Sequence, residues 1–134
     1  MSNEWEEAEI TRLFGPPEVR EQKHRKYIEG LIERHSEKTV RGILKALSLL
    51  DEPYCCERLR RRDLDTQSLA EIIQPYRPFG LKVSILIEAG KDGKEVIIEI
   101  DEGWLDAGSG GKFLLERLDD GSFRVVATLE QWIH

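Results

Sequence analysis

Residues 81–100 read LKVSILIEAGKDGKEVIIEI. Apolar and polar side chains alternate on both sides of Asp92-Gly93, which is the pattern of strands with one buried face. The Asp-Gly pair supplies the positive φ that a tight hairpin turn requires. The stretch therefore predicts two antiparallel strands joined by a short turn.

A second hairpin is predicted further along the chain. Phe113 and Leu115 precede the turn sequence Asp119-Asp120-Gly121-Ser122, and Phe123 and Val125 follow it. Because the links between strands are short, they exclude a parallel βαβ arrangement, which needs long crossovers. We therefore expect the second half of the chain to form an antiparallel meander of about four strands.

The first half of the chain shows helical spacing instead. Pro16-Pro17 is suited to open a helix, and Ser36 is suited to cap a second one, whose apolar stripe begins at Val40. A further short helix is predicted after a cap at Asp65 or Thr66. The sequence thus predicts an α+β fold, with N-terminal helices packed on a curved C-terminal meander.

We expect the whole chain, residues 1–134, to form a single domain. Residues 1–15 are predicted to be a flexible arm or a short helix, 16–79 the helical half and 80–134 the sheet half, with the boundary at the prolines and glycine between Pro75 and Gly80.

Charge and cysteine usage narrow the class of protein. The formal net charge is −6, which disfavours a nucleic-acid partner because phosphate binding needs a basic surface. No apolar run approaches membrane-spanning length. The adjacent Cys55 and Cys56 disfavour a structural disulfide, since bridging neighbours strains the peptide between them. A cytoplasmic location is therefore predicted, without a membrane partner.

The predicted sheet has apolar residues on its second face as well, which are Leu86, Ile97, Leu114, Leu118 and Val126. A sheet with one wet face normally carries mostly polar residues there. Either the sheet curls around an internal cavity, or its outer face meets a partner. We expect both, with a homodimer through the outer face and a small apolar ligand in the cavity.

The order of elements, together with the stretch GGKFLLERLDDGSFRVV at residues 110–126, resembles the cone-shaped cystatin-like fold of the nuclear transport factor two-like superfamily. The resemblance covers residues 36–130. It implies that the helices pack into a concave sheet, that a pocket opens between them and that dimers form through the outer sheet face. The superfamily contains isomerases, dehydratases, cyclases and members that only bind, so the resemblance fixes no activity.

Three acids, Asp101, Glu102 and Asp106, flank Trp104, and of these Asp101 and Asp106 are the candidate catalytic residues. A carboxylate beside an indole in a closed cavity has a raised pKa and can act as a general base. Solvated acids at a strand end are the alternative interpretation. Trp104 and the three tyrosines are the candidate pocket-binding residues, and any of Tyr27, Tyr54 and Tyr76 could hold an oxyanion.

A basic cluster formed by Arg58, Arg60, Arg61 and Arg62 is the candidate site for an acidic partner. Local ion pairing with Asp63 and Asp65 is the alternative. No histidine or cysteine pair has metal-ligand spacing, so neither a metal nor a cofactor is expected. The segment Gly108–Lys112 lacks the spacing of a phosphate-binding loop and is predicted to be a mobile or bulged turn.

The sequence favours a small cytoplasmic binding or interaction domain with a cone-like pocket and no catalytic activity. The alternatives are a small acid-base enzyme of isomerase or dehydratase type that uses a pocket carboxylate, and a docking or immunity-type protein that binds an acidic partner through the arginine cluster.

Overall fold

The computed structural model of the protein describes residues 8–9, 11–13, 15–50, 56–74, 82–90, 92–103 and 108–133. Its helices are α1 (Pro17–His35), α2 (Glu37–Ser48), α3 (Glu57–Arg60) and α4 (Leu69–Ile72). Its strands are β1 (Lys82–Ala89), β2 (Glu95–Gly103), β3 (Gly108–Arg117) and β4 (Phe123–Ile133). Residues 8–9 and 11–13, which precede α1, are also helical.

The four strands pair antiparallel in the order β1-β2-β3-β4. The predicted α+β fold, with helices first and an antiparallel meander second, is confirmed, and both predicted hairpins form. The predicted boundary between Pro75 and Gly80 lies outside the described residues.

The helix caps match the prediction at one helix and differ at another. Ser36 caps α2 as predicted, since its Oγ accepts the Thr39 N–H at 3.2 Å. The cap of α4 is Ser68, whose Oγ accepts the Glu71 N–H at 3.2 Å. The prediction of Asp65 or Thr66 was wrong because this stretch forms a turn of its own, in which the Asp63 carboxylate accepts the backbone N–H groups of both residues.

The core lies between the helices and one face of the sheet, which we call the inner face. The apolar stripe of α2 is fully buried there and consists of Val40, Ile43, Leu44 and Leu47. The inner-face residues Ile98, Ile100, Phe113 and Leu115 are also 0% exposed. Each such side chain contributes roughly 1.5–3 kcal/mol of transfer free energy.

The glycine-rich segment Gly108–Lys112 is part of β3 and pairs with both neighbouring strands, so the predicted turn was wrong. The indole of Trp132 lies over Gly110, where a Cβ would be 2.6 Å from its Nε1. On the opposite face the ring of Phe113 lies over Gly111, where a Cβ would be 2.6 Å from its Cζ. The glycines are thus needed for two aromatic rings to lie against the strand.

Strand β4 departs from regular pairing at two places. Its register shifts between Lys112 and Phe113 and again between Leu114 and Leu115 of β3, so the pairing skips Val126 and Leu129. Extra residues of this kind bend a strand and increase its twist, and they discourage pairing at a sheet edge.

Replacing Gly110 with Ala should destabilise the protein, because the new Cβ would lie 2.5 Å from the backbone oxygen of Ile100. We expect the free energy of unfolding in urea to fall by about 1–3 kcal/mol. Gly30→Ala is the matched control, since there a Cβ meets only the flexible end of Arg34, at 3.1 Å, and alanine favours a helix by roughly 1 kcal/mol. Equal effects of the two substitutions would contradict this account of Gly110.

Candidate functional site

Strand β2 places the neighbouring acids Asp101 and Glu102 on opposite faces of the sheet. Asp101 lies on the face of the sheet opposite the helices, directly across from Ser84 and Gly110, and is partly exposed. Its neighbour Glu102 points to the inner face and is only 3% exposed. Trp104 and Asp106 lie outside the described residues. Alternation along β2 therefore divides two consecutive carboxylates between solvent and core.

Glu102 links the sheet to the short helix α3. Its Oε2 accepts the backbone N–H of Leu59 at 2.9 Å, and Leu59 itself is fully buried. The first N–H groups of a helix have no intrahelical acceptor, so a carboxylate at this position satisfies one of them. Sequence reasoning placed Glu102 among the acids around Trp104 and did not predict its burial, although Glu102 continues the inner-face alternation of Ile98 and Ile100, which was the available signal.

Replacing Glu102 with Ala should leave the buried N–H of Leu59 without this acceptor. We expect the free energy of unfolding to fall by about 1–3 kcal/mol, as measured by urea denaturation. Glu88→Ala is the matched control, since it removes an exposed carboxylate from the neighbouring strand β1, and it should change stability by less than about 0.5 kcal/mol. A larger loss for Glu88→Ala than for Glu102→Ala would contradict the assignment.

Tyr27 is the one candidate tyrosine among the described residues, and its hydroxyl forms hydrogen bonds with the backbone of Ile85. The hydroxyl donates to the carbonyl oxygen of Ile85 and accepts the N–H of the same residue at 3.2 Å. Since β1 is an edge strand, these are backbone groups that face away from β2. Tyr27 thus joins α1 to the sheet edge and covers part of that edge. Tyr54 and Tyr76 lie outside the described residues.

The arginine cluster lies on and just after α3. Arg60 donates to the carbonyl oxygen of Leu50, and both Arg60 and Arg61 are exposed. Arg62 is partly buried, and the side chain of Arg58 lies outside the description. Of the two nearby acids, Asp65 forms an ion pair with Lys45 of α2. The cluster is therefore spread over a short helix and a turn.

A groove of about 450 Å³ lies between α2 and the β3–β4 turn. On one wall, Arg41 donates to Glu37 at 3.1 Å and to the carbonyl oxygen of Leu64 at 2.9 Å. On the other wall, the hydroxyl and the N–H of Ser122 donate to Asp120, and these bonds lower the pKa of the Asp120 carboxyl. The groove therefore offers few uncommitted polar groups to a ligand.

Neither a metal site nor a membrane helix is found in the described part of the chain. No group of three or more His, Cys, Asp or Glu side chains there is placed to hold a metal ion. Among the helices of that part, none has both the length and the apolar character that a membrane crossing requires.

The outer face of the sheet, opposite the helices, carries a group of apolar side chains. These are Leu86 on β1, Ile97 on β2, Leu114 on β3, and Ala127 and Trp132 on β4. Leu86 is 53% exposed, and the others are partly exposed. Ile97, Leu114 and Ala127 are direct cross-strand neighbours, so they form a continuous apolar row across three strands.

Carboxylates surround this row. Six acidic side chains of the described residues lie on the outer face, namely Glu88, Glu95, Glu99, Asp101, Glu116 and Glu130. Two cations with described side chains lie there, Lys112 and Arg124. The outer face therefore has an excess of negative charge around an apolar centre.

The predicted second apolar face is partly reproduced. Leu86, Ile97 and Leu114 lie on the outer face as expected. Leu118 follows the end of β3, and Val126 is skipped by the pairing, so neither takes a regular place in it. Sequence reasoning missed Trp132 and the excess of acids, although the alternation of Glu95, Glu99 and Asp101 along β2 was visible.

Replacing Glu95 with Lys should stabilise the isolated protein, because Glu95 is directly opposite Glu116 and like charges in that position repel. We expect a rise of about 0.5 kcal/mol in the free energy of unfolding at low salt, which shrinks as salt is added. Glu29→Lys on α1 makes the same change in net charge, and Glu29 has Arg25 one turn before it and Glu33 one turn after it. If Glu29→Lys stabilised the protein equally, the repulsion would be global and not local to the outer face.

Comparisons of the chain with protein-family models, with curated proteins and with solved structures find no match. The resemblance to the nuclear transport factor two-like superfamily therefore stays a prediction, and so does the homodimer that it implies.

Proposed function

We propose that this protein is a non-catalytic interaction domain that binds a partner protein through the outer face of its sheet. The observation that carries the proposal is the apolar row of Ile97, Leu114 and Ala127, with Leu86 beside it, on the face that the helices do not cover. Exposed apolar groups with a polar rim are typical of protein interaction surfaces.

The inner face is less suited to ligand binding. Its residues Ile98, Ile100, Phe113 and Leu115 are completely buried, in one hydrophobic cluster with the apolar stripe of α2. A pocket for a small apolar ligand would need space where these side chains meet the helix. The complete burial of these side chains favours a structural role for the inner face.

The acid-base enzyme is also less well supported. A general base needs a defined position beside its substrate. Asp101 is partly exposed on the outer face, while Glu102 is held by the Leu59 N–H inside the core. These placements favour binding over catalysis. We further propose a cytoplasmic location, which rests on the sequence argument alone.

A site-specific photo-crosslinking experiment tests the proposal. A photoreactive amino acid replaces Leu86 on the outer face, or Leu49 at the end of α2 as the control, since Leu49 is also an exposed leucine, at 81%. In the native cells we expect a defined protein adduct from position 86 and none from position 49. The additional substitution Leu114→Asp should abolish the adduct, because it places a charge in the apolar row.

Circular dichroism of Leu114→Asp checks that the sheet still forms. An adduct from both positions, or one that survives Leu114→Asp in the folded variant, would refute the outer face as the binding surface.

A further inference from the structure

We infer that the partner of the outer face is a basic polypeptide, whose contact surface combines apolar side chains with lysine or arginine, and that it is not a second copy of this chain. The inference rests on the proposed function and adds the chemistry of the partner. It is carried by the charge pattern of the outer face.

On the outer face, an apolar row of side chains lies between two charged rows. The apolar row of Ile97, Leu114 and Ala127 runs across the strands. Charged rows follow on both sides, two residues away along β2 and β3, which is about 6.7 Å, and three residues away along the irregular β4. One row contains Glu95, Glu116 and Arg124, and the other contains Glu99, Lys112 and Glu130. The apolar row is therefore flanked on both sides by rows in which acids outnumber bases.

Both outer-face cations whose side chains are described already have acidic neighbours. Arg124 donates to Glu116, with Nη2 to Oε2 at 2.8 Å and Nε to the same oxygen at 3.1 Å. Lys112 lies opposite Glu99 on one side and Glu130 on the other. Glu95 has Glu116 as its cross-strand neighbour on β3, and Glu88 borders Ile97 at the β1 end of the apolar row. A ligand that supplied cations at both edges of the row would neutralise this surplus.

The same charges disfavour a homodimer. A two-fold interface brings a surface against its own copy. Counting the side chains that the structure describes, two outer faces in contact would each contribute six carboxylates and two cations, so most charges brought together at the rim would be alike. Juxtaposed like charges cost several kcal/mol at an interface. Nucleic acids and anionic membranes are disfavoured by the same sign.

Selection from a library of short random peptides, displayed on phage and applied to the immobilised full chain, tests the inference. We expect the selected peptides to combine Lys or Arg with large apolar residues, and their binding to weaken as salt is raised. The double substitution Glu99→Gln with Glu130→Gln should weaken their affinity by roughly fivefold to tenfold, since it removes two charge contacts at the rim.

Glu29→Gln with Glu33→Gln is the matched control, because it makes the same change in net charge at two exposed positions on α1. It should change the affinity by less than about twofold. An equal loss in both double variants would refute a local role for the outer-face acids and, with it, the inference.

The other outcomes separate the two proposals. Neutral or acidic apolar peptides whose binding is lost in Leu114→Asp would overturn the basic partner and leave the binding surface in place. Peptides whose binding survives Leu114→Asp, or the absence of any enriched peptide, would count against both proposals. A dimer of the wild-type chain in sedimentation velocity that Leu114→Asp dissociates would overturn the inference in favour of a second copy.

Discussion

The packing of α2 against the inner face of the sheet is the interaction on which the rest of the structure depends. The helix approaches the sheet closely because Gly42 has no side chain, and a Cβ there would lie 3.1 Å from the ring of Phe123. The stripe from Val40 to Leu47 is then buried in one hydrophobic cluster with the inner-face residues of β2 and β3. Since apolar core side chains fill the inner face, the outer face is the one available to the partner that we propose.

The two-residue period of a strand decides which side chains of the sheet reach the core and which reach the surface. It sends Asp101 to the outer face and Glu102 into the core, although the two are adjacent in the chain. Glu102 then holds α3 through the Leu59 N–H, while Asp101 joins the charged surround of the apolar row. Similar side chains at neighbouring positions thus serve stability and surface charge separately.

Local patterns predicted the fold well because each depends on residues close in the chain. The Asp92-Gly93 turn, the alternation around it and the Ser36 cap all form as expected. The glycines of β3 could not be interpreted this way, because the aromatic ring over Gly110 comes from Trp132 on another strand. The role of Tyr27 depends likewise on Ile85, fifty-eight residues away, which no periodicity reveals.

The composition of the outer face separates three explanations of its purpose. A face that served only solubility would have polar residues at Leu86, Ile97 and Leu114, because exposed apolar groups promote association. A face that formed a two-fold homodimer would not carry such an excess of carboxylates over cations, because the carboxylates of the two copies would repel each other. An apolar row with acidic rows on both sides therefore fits neither of these two explanations. A partner that carries both apolar and basic side chains fits the apolar row and the acidic rows together.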